Sequence, residues 1–245
     1  MNELEPLPIL PFASLLIAFL PTLLLVFVMR RWSLRAGEAL YANVRMLIQL
    51  LGVGYVLTYV FETNRPMLIA MVIALMMVAA AWISLRPLAK RGPKLFLCAL
   101  AAIGITGIMM LAIVTQFVLE LPRFFEPRFV VPLAGMIFAN AMNTVSLAAE
   151  RFEAECDRGL DYEAARRVAL EAALIPQVNA LFAVGIVSLP GMMTGQILSG
   201  VEPLVAVRYQ IMVMCMTFGS AGMGAVVYLV LNRRVFADRF SASTG

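Results

Sequence analysis

Apolar residues in this chain neither alternate strictly nor follow a single amphipathic face. They come in runs of about twenty, separated by short polar stretches. Wound as an α-helix rising 1.5 Å per residue, such a run matches the ~30 Å hydrocarbon core of a bilayer. Seven segments are expected, at residues 8–29, 46–61, 66–85, 95–118, 130–149, 174–198 and 203–231. The second is short, and spans if Arg45 extends its charged head to the lipid headgroups. The fold class predicted is all-α, a polytopic membrane protein with about seven transmembrane helices. Residues 1–245 are read as one membrane domain with no separate soluble domain.

The polar stretches orient the segments. Arg30, Arg31, Arg35 and Arg45 follow the first, Arg86, Lys90, Arg91 and Lys94 the third, and Arg233, Arg234 and Arg239 the seventh. The alternate loops, around 62–65 and 120–128, carry few basic residues and balance them with acids. The positive-inside rule puts the N-terminus outside and the C-terminus in the cytoplasm. The acidic start MNELEPLPILPF lacks the basic region of a signal peptide, so the first run is expected to be a retained span.

One cytoplasmic connection is long. Residues 150–173, ERFEAECDRGLDYEAARRVALEAA, are rich in the helix formers Glu, Ala and Arg. Gly159 is a helix stop, and Asp161 an N-cap for a second helix over 162–174. On that helix Glu163, Arg166, Arg167 and Leu170 fall on one side, because three- and four-residue steps return to the same face. A solvated hairpin and a docking element for a cytoplasmic partner both fit this charge pattern.

The sixth segment is built unlike a merely apolar span. Its stretch VGIVSLPGMMTGQILSG, residues 184–200, holds four glycines, a proline and a methionine pair. Gly185, Ser188, Gly195 and Ser199 are read onto one small-residue face, with Gly191 and Gly195 forming a GxxxG that lets another helix approach closely. Pro190 lacks an N–H and is expected to kink the span as a hinge.

Composition then narrows the chemistry. The chain is 62% hydrophobic and only 14% charged, with mean hydropathy +0.90. The net charge of +4 resides in loops beside spans and does not point to nucleic acid. The absence of histidine removes Ser-His triads and the commonest transition-metal ligand. The three cysteines have no metal-binding or disulfide spacing. No GxxxxGK[ST] is present, so ATP cannot be bound through a P-loop, and no cofactor is called for. Inside the spans the one charged side chain is Arg208, near the end of the last segment. Neutral polar groups remain: Asn140, Asn143 and Thr144 on the fifth segment, Gln49, Gln177 and Asn179, and Gln210 on the seventh. Met136, Asn140, Asn143 and Leu147 share a helix face. Such groups bond neighbouring helices or line a water path.

Three stretches together resemble one family: VRMLIQLLGVGYVLTYVF at 44–61, VPLAGMIFANAM at 131–142, and AALIPQVNALFAVGIVSLPGMMTGQILSGVEPLVAVRYQIMV at 172–213. They look like the FetB-type permeases of bacterial ABC transporters, implicated in iron export, with plant relatives linked to aluminium tolerance. The resemblance implies a permease in the bacterial inner membrane that forms a homodimer and pairs with a separate cytoplasmic ATPase. It is then no enzyme itself. Residues 150–173 would contain the coupling helix, although where a Gly-Ala-Thr-like turn is common in the family this chain has Gly159-Leu160-Asp161. A substrate path along Asn140, Asn143, Ser188, Met192, Met193, Thr194 and Gln210 is expected. The alternative is an ATP-independent channel or secondary transporter for a metal chelate or small solute.

Overall fold

The computed structural model describes residues 11–62, 65–89, 91–123 and 125–243. The acidic start, the beginning of the first segment at Pro8, and Lys90 lie outside the described residues, as do the side chains of Arg234 and Arg239. The regular elements are α1 (Phe12–Arg31), α2 (Ala36–Glu62), α3 (Pro66–Ser84), α4 (Pro93–Ile113), α5 (Pro127–Asp157), α6 (Tyr162–Ala183), α7 (Gly191–Leu198) and α8 (Pro203–Ser243). The described residues are thus all-α, apart from one isolated bridge between Val184 and Ser188. The chain divides into two compact units, Met1–Thr63 and Asn64–Gly245.

In the first unit α1 and α2 pair through a tight turn, where Trp32 N–H donates to Val28 O at 2.9 Å and Leu34 N–H to Met29 O at 2.8 Å. In the second, α5 is the central element and packs on α3, α4, α6 and α8. Its buried positions Val130, Ala134, Ile137, Phe138, Ala141, Val145, Ala148 and Phe152 follow three- and four-residue steps, which makes one broad apolar face. Close approach to α4 depends on Gly107, where a Cβ would stand 2.5 Å from Cε1 of Phe138 and 3.2 Å from Cγ2 of Ile137. α3, α4 and α5 each open with proline at the first turn, where its missing N–H costs no helical bond. α4 ends in a π-helical turn over Val114–Val118.

Among the described residues, six helices are long and apolar enough to cross a membrane. The sixth predicted segment is not among them, and this corrects the expectation of a kinked helix there. α6 ends at Ala183, residues 184–190 form a turn, and α7 starts afresh with Pro190 as its N-cap. Gly185 has φ +83°, a conformation that suits glycine, and its N–H donates to Ser188 O at 3.0 Å. The physical reason is the combination of the two residues. Val184 leaves the helix at ψ 132°, Gly185 takes the left-handed conformation that turns the chain, and Pro190, extended at ψ 146°, begins α7 anew. Gly185 and Ser188 therefore do not share a helical face with Gly195 and Ser199.

Candidate functional site

α6 packs on α5 and α8, and along their seam lies a cavity of about 180 Å³. Its walls are Met136 and Asn140 of α5, Gln177, Ala180 and Leu181 of α6, and Val213, Met214, Thr217 and Phe218 of α8. The polar groups are held by short-range bonds. Asn140 Nδ2 donates to Met136 O at 2.9 Å, and Thr144 Oγ1 donates to Asn140 O at 3.0 Å. Gln177 Nε2 crosses from α6 to donate to Thr144 Oγ1 at 3.0 Å. Thr217 Oγ1 donates to Val213 O at 2.9 Å. Each amide has one N–H engaged in these bonds. The wall that is left is uncharged and rich in acceptors: two amide oxygens and two methionine thioethers.

A second cavity, of about 260 Å³, is lined by Leu119, Arg128, Phe129, Pro132, Leu133, Met136, Met192, Tyr209 and Met212. Met136 stands in the wall of both cavities. They therefore follow one another along α5 and α8, with α6 closing one and α7 the other.

Of the residues expected on a path, Asn140 lines the first cavity and Met192 the second. Asn143 is exposed on the outside of α5, and Ser188 is exposed in the turn. Met193 is half-buried on α7, and Thr194 spends its hydroxyl on Pro190 O at 3.1 Å. Gln210 is buried, and its Oε1 has no hydrogen-bond partner among the described residues. Sequence reasoning missed Met214 and Thr217, whose only signal was their place on the same helix as Gln210. Gln177 had been noted as an interhelical bonding group, and it makes that bond. Gly191 and Gly195 face open space, since a Cβ added at either meets nothing within 4 Å.

The polar hairpin forms as the sequence predicts. α5 runs on to Asp157, Gly159 takes φ +90°, and Asp161 caps α6 by accepting from Ala164 N at 2.8 Å. α6 does not stop at residue 174 but continues past Pro176 to Ala183. Ala165, Ala169 and Ala173 are buried, which leaves Glu163 and Arg167 exposed and Arg166 and Leu170 half-buried. Glu163 pairs with Arg166, and Arg167 Nε lies 3.5 Å from Glu171. Glu155, buried, is held by Arg151 at 2.6 Å and Arg158 at 2.9 Å.

Tyr162 ties the hairpin to α8. Its hydroxyl donates to Leu229 O at 2.8 Å, and its ring stands edge-on to Phe152 at 5.8 Å. The guanidinium groups of Arg166 and Arg233 lie 5.5 Å and 5.6 Å from the ring centroid.

The sequence matches the family described as Uncharacterised protein family (UPF0014) over residues 12–163 and 161–236. It is 34% identical over 212 residues to the UPF0014 membrane protein slr1647 of Synechocystis sp., covering 78% of this chain and 82% of that protein. It is 32% identical over 215 residues to a protein of Escherichia coli named Probable iron export permease protein FetB, covering 81% of each. A plant relative, Protein ALUMINUM SENSITIVE 3 of Arabidopsis thaliana, is 30% identical over 206 residues, covering 78% of this chain and 74% of the relative. No solved structure matches the chain. With six helices of membrane-crossing length and matches that run from α1 to α8, the chain is an integral membrane protein that belongs to the UPF0014 family.

Proposed function

We propose that this chain is the permease subunit of an ATP-driven ABC transporter, working as a homodimer with a separate cytoplasmic ATPase in a bacterial inner membrane. It moves substrate outward along the two cavities that share Met136. The chain makes seven crossings in this reading, the sixth of them discontinuous through α6 and α7, with the N-terminus outside and the hairpin in the cytoplasm. The observation that carries the proposal is α6 itself. One unbroken helix bears Glu163, Arg166 and Arg167 at its capped end and Gln177 in the cavity wall. A subunit that pushes on the hairpin therefore pushes on the cavity. The relative named Probable iron export permease protein FetB supports both permease and direction.

ATP hydrolysis by the partner biases two arrangements of the permease with different access. Among the described residues no three His, Cys, Asp or Glu side chains come together at a metal-binding distance. A bare cation would meet only neutral oxygens and thioethers here, so the cargo travels as a hydrated or chelated species whose outer protons bond to Asn140 and Gln177. The experiment is Arg166→Glu with Arg167→Glu. After normal membrane insertion is confirmed, ATPase retention and ATP-driven flux of ferrous iron, a ferric chelate and small organic cations are measured in inverted vesicles. Loss of retention and flux together is expected. Unchanged retention and flux would remove the hairpin as the docking element, and flux without ATP would favour a channel or secondary transporter.

A further inference from the structure

The turn between α3 and α4 encloses a cavity of about 330 Å³ that the transport reading does not use. Its walls are Trp82 and Leu85 at the end of α3 and Arg91, Gly92, Pro93 and Phe96 at the start of α4. Trp82 and Phe96 stand edge to face with centroids 6.2 Å apart, and Trp82 keeps 65% of its surface exposed. Both helices are membrane-crossing by length and composition, so the cavity sits where a hydrocarbon wall gives way to headgroups. Tryptophan is enriched at that level because one part of the ring is apolar and its N–H is not.

Charge supplies the second observation. Residues 84–96 contain Arg86, Lys90, Arg91 and Lys94 and no acidic residue. Arg91 is pinned into the cavity wall by main-chain carbonyls: Nε donates to Leu88 O at 3.3 Å, and an Nη donates to Arg86 O. Carbonyls fix the guanidinium without cancelling its charge. α4 also begins with Gly92 as N-cap, no side-chain cap and no acidic residue in its first turn, so its positive end is directed at the same place.

We propose that this cavity binds one anionic phospholipid. The phosphate lies against Arg91 and the first turn of α4, and an acyl chain follows Trp82, Leu85 and Phe96. A free phosphate would satisfy the charged rim but leave the apolar wall uncovered, and a zwitterionic lipid would cover the wall without net attraction at the rim. The complementarity selects a lipid that is both apolar and anionic.

Tryptophan quenching tests the site directly. The chain has two tryptophans, so Trp32→Phe leaves Trp82 as the sole emitter. The full chain in nanodiscs is titrated with phosphatidylglycerol or phosphatidylcholine carrying dibrominated acyl chains. Phosphatidylglycerol should quench Trp82 at a mole fraction lower by about fivefold for each basic side chain that meets the headgroup. Arg91→Gln should abolish that preference while quenching by phosphatidylcholine persists, and Arg91→Lys should keep most of it. Equal quenching by the two lipids in the unmodified rim overturns the proposal, as does a preference that survives Arg91→Gln. Absence of quenching by either lipid means that protein covers the wall and also overturns it. Excess inorganic phosphate that erases the preference would reduce the site to a phosphate seat without a lipid.

Discussion

Two stripes of small residues lie close together in the chain and meet opposite fates. On α6, Ala165, Ala169 and Ala173 are each fully buried, within the packing of that helix on α5 and α8. On α7, Gly191 and Gly195 face open space, and no residue of that helix is buried. In sequence both stripes say the same thing, that a neighbouring helix can come close. The difference lies in what surrounds them. α6 carries Glu163, Arg167 and Glu171 on its other side, so within this chain the alanine face is the one covered. α7 is a helix of eight residues between a turn and the start of α8, with room along its glycines. The comparison teaches that small-residue spacing marks permission to pack and says nothing about the partner. For α7 the proposed partner is a second copy of the chain.

The largest effect is expected where the stripe is already filled. Ala169→Leu adds three carbons at a position with no exposed surface, and overpacking of that kind costs about 1–3 kcal/mol. A clear fall in melting temperature in detergent checks it, and an unchanged melting curve would mean that α6 can pull away from α5. Next comes the cap. Asp161→Ala removes the acceptor for Ala164 N–H and should cost about 1 kcal/mol, with Asp161→Asn restoring most of it. Amide exchange in the first turn of α6 reads this loss locally. The smallest effect on the single chain is expected at the open stripe. Gly195→Leu should change its stability by no more than about 0.5 kcal/mol, because a Cβ at that position meets nothing within 4 Å. Dimer content and transport should nevertheless fall in that variant. A dimer of normal strength with normal flux would show that the open stripe faces lipid.

The hairpin was legible because its signals are local. Gly159 and Asp161 act through their own backbone neighbours, and the same is true of the prolines that open α3, α4 and α5. The break after Ala183 was half legible. Pro190 was read as a kink, although Gly185 five residues earlier, in a run with a polar Ser188, is a helix-stop signal of the same kind as Gly159. The cavity was legible only as polarity. Asn140 and Gln177 announce that the spans are not uniformly apolar, yet their meeting through Thr144 depends on how α5 and α6 lie side by side. The tight contact of Gly107 with Phe138 was invisible for the same reason, since the glycine and the ring are thirty-one positions apart in sequence.

The continuity of α6 makes it a lever. Tyr162, bonded to Leu229 O and with two guanidinium groups 5.5 Å and 5.6 Å from its ring centroid, would be the fulcrum at one end. Gln177 lies fifteen residues further on, about 22 Å along a helix rising 1.5 Å per residue. A tilt of about 5° at the fulcrum displaces a point at that distance by about 2 Å, more than a hydrogen bond between heavy atoms tolerates. On the proposed reading, the Gln177–Thr144 bond, at 3.0 Å, would yield when a partner moves the hairpin. Its rupture would add a second free N–H to Gln177 in the cavity wall. In the proposed permease, grip on the cargo and the position of the hairpin would become two readings of one mechanical variable.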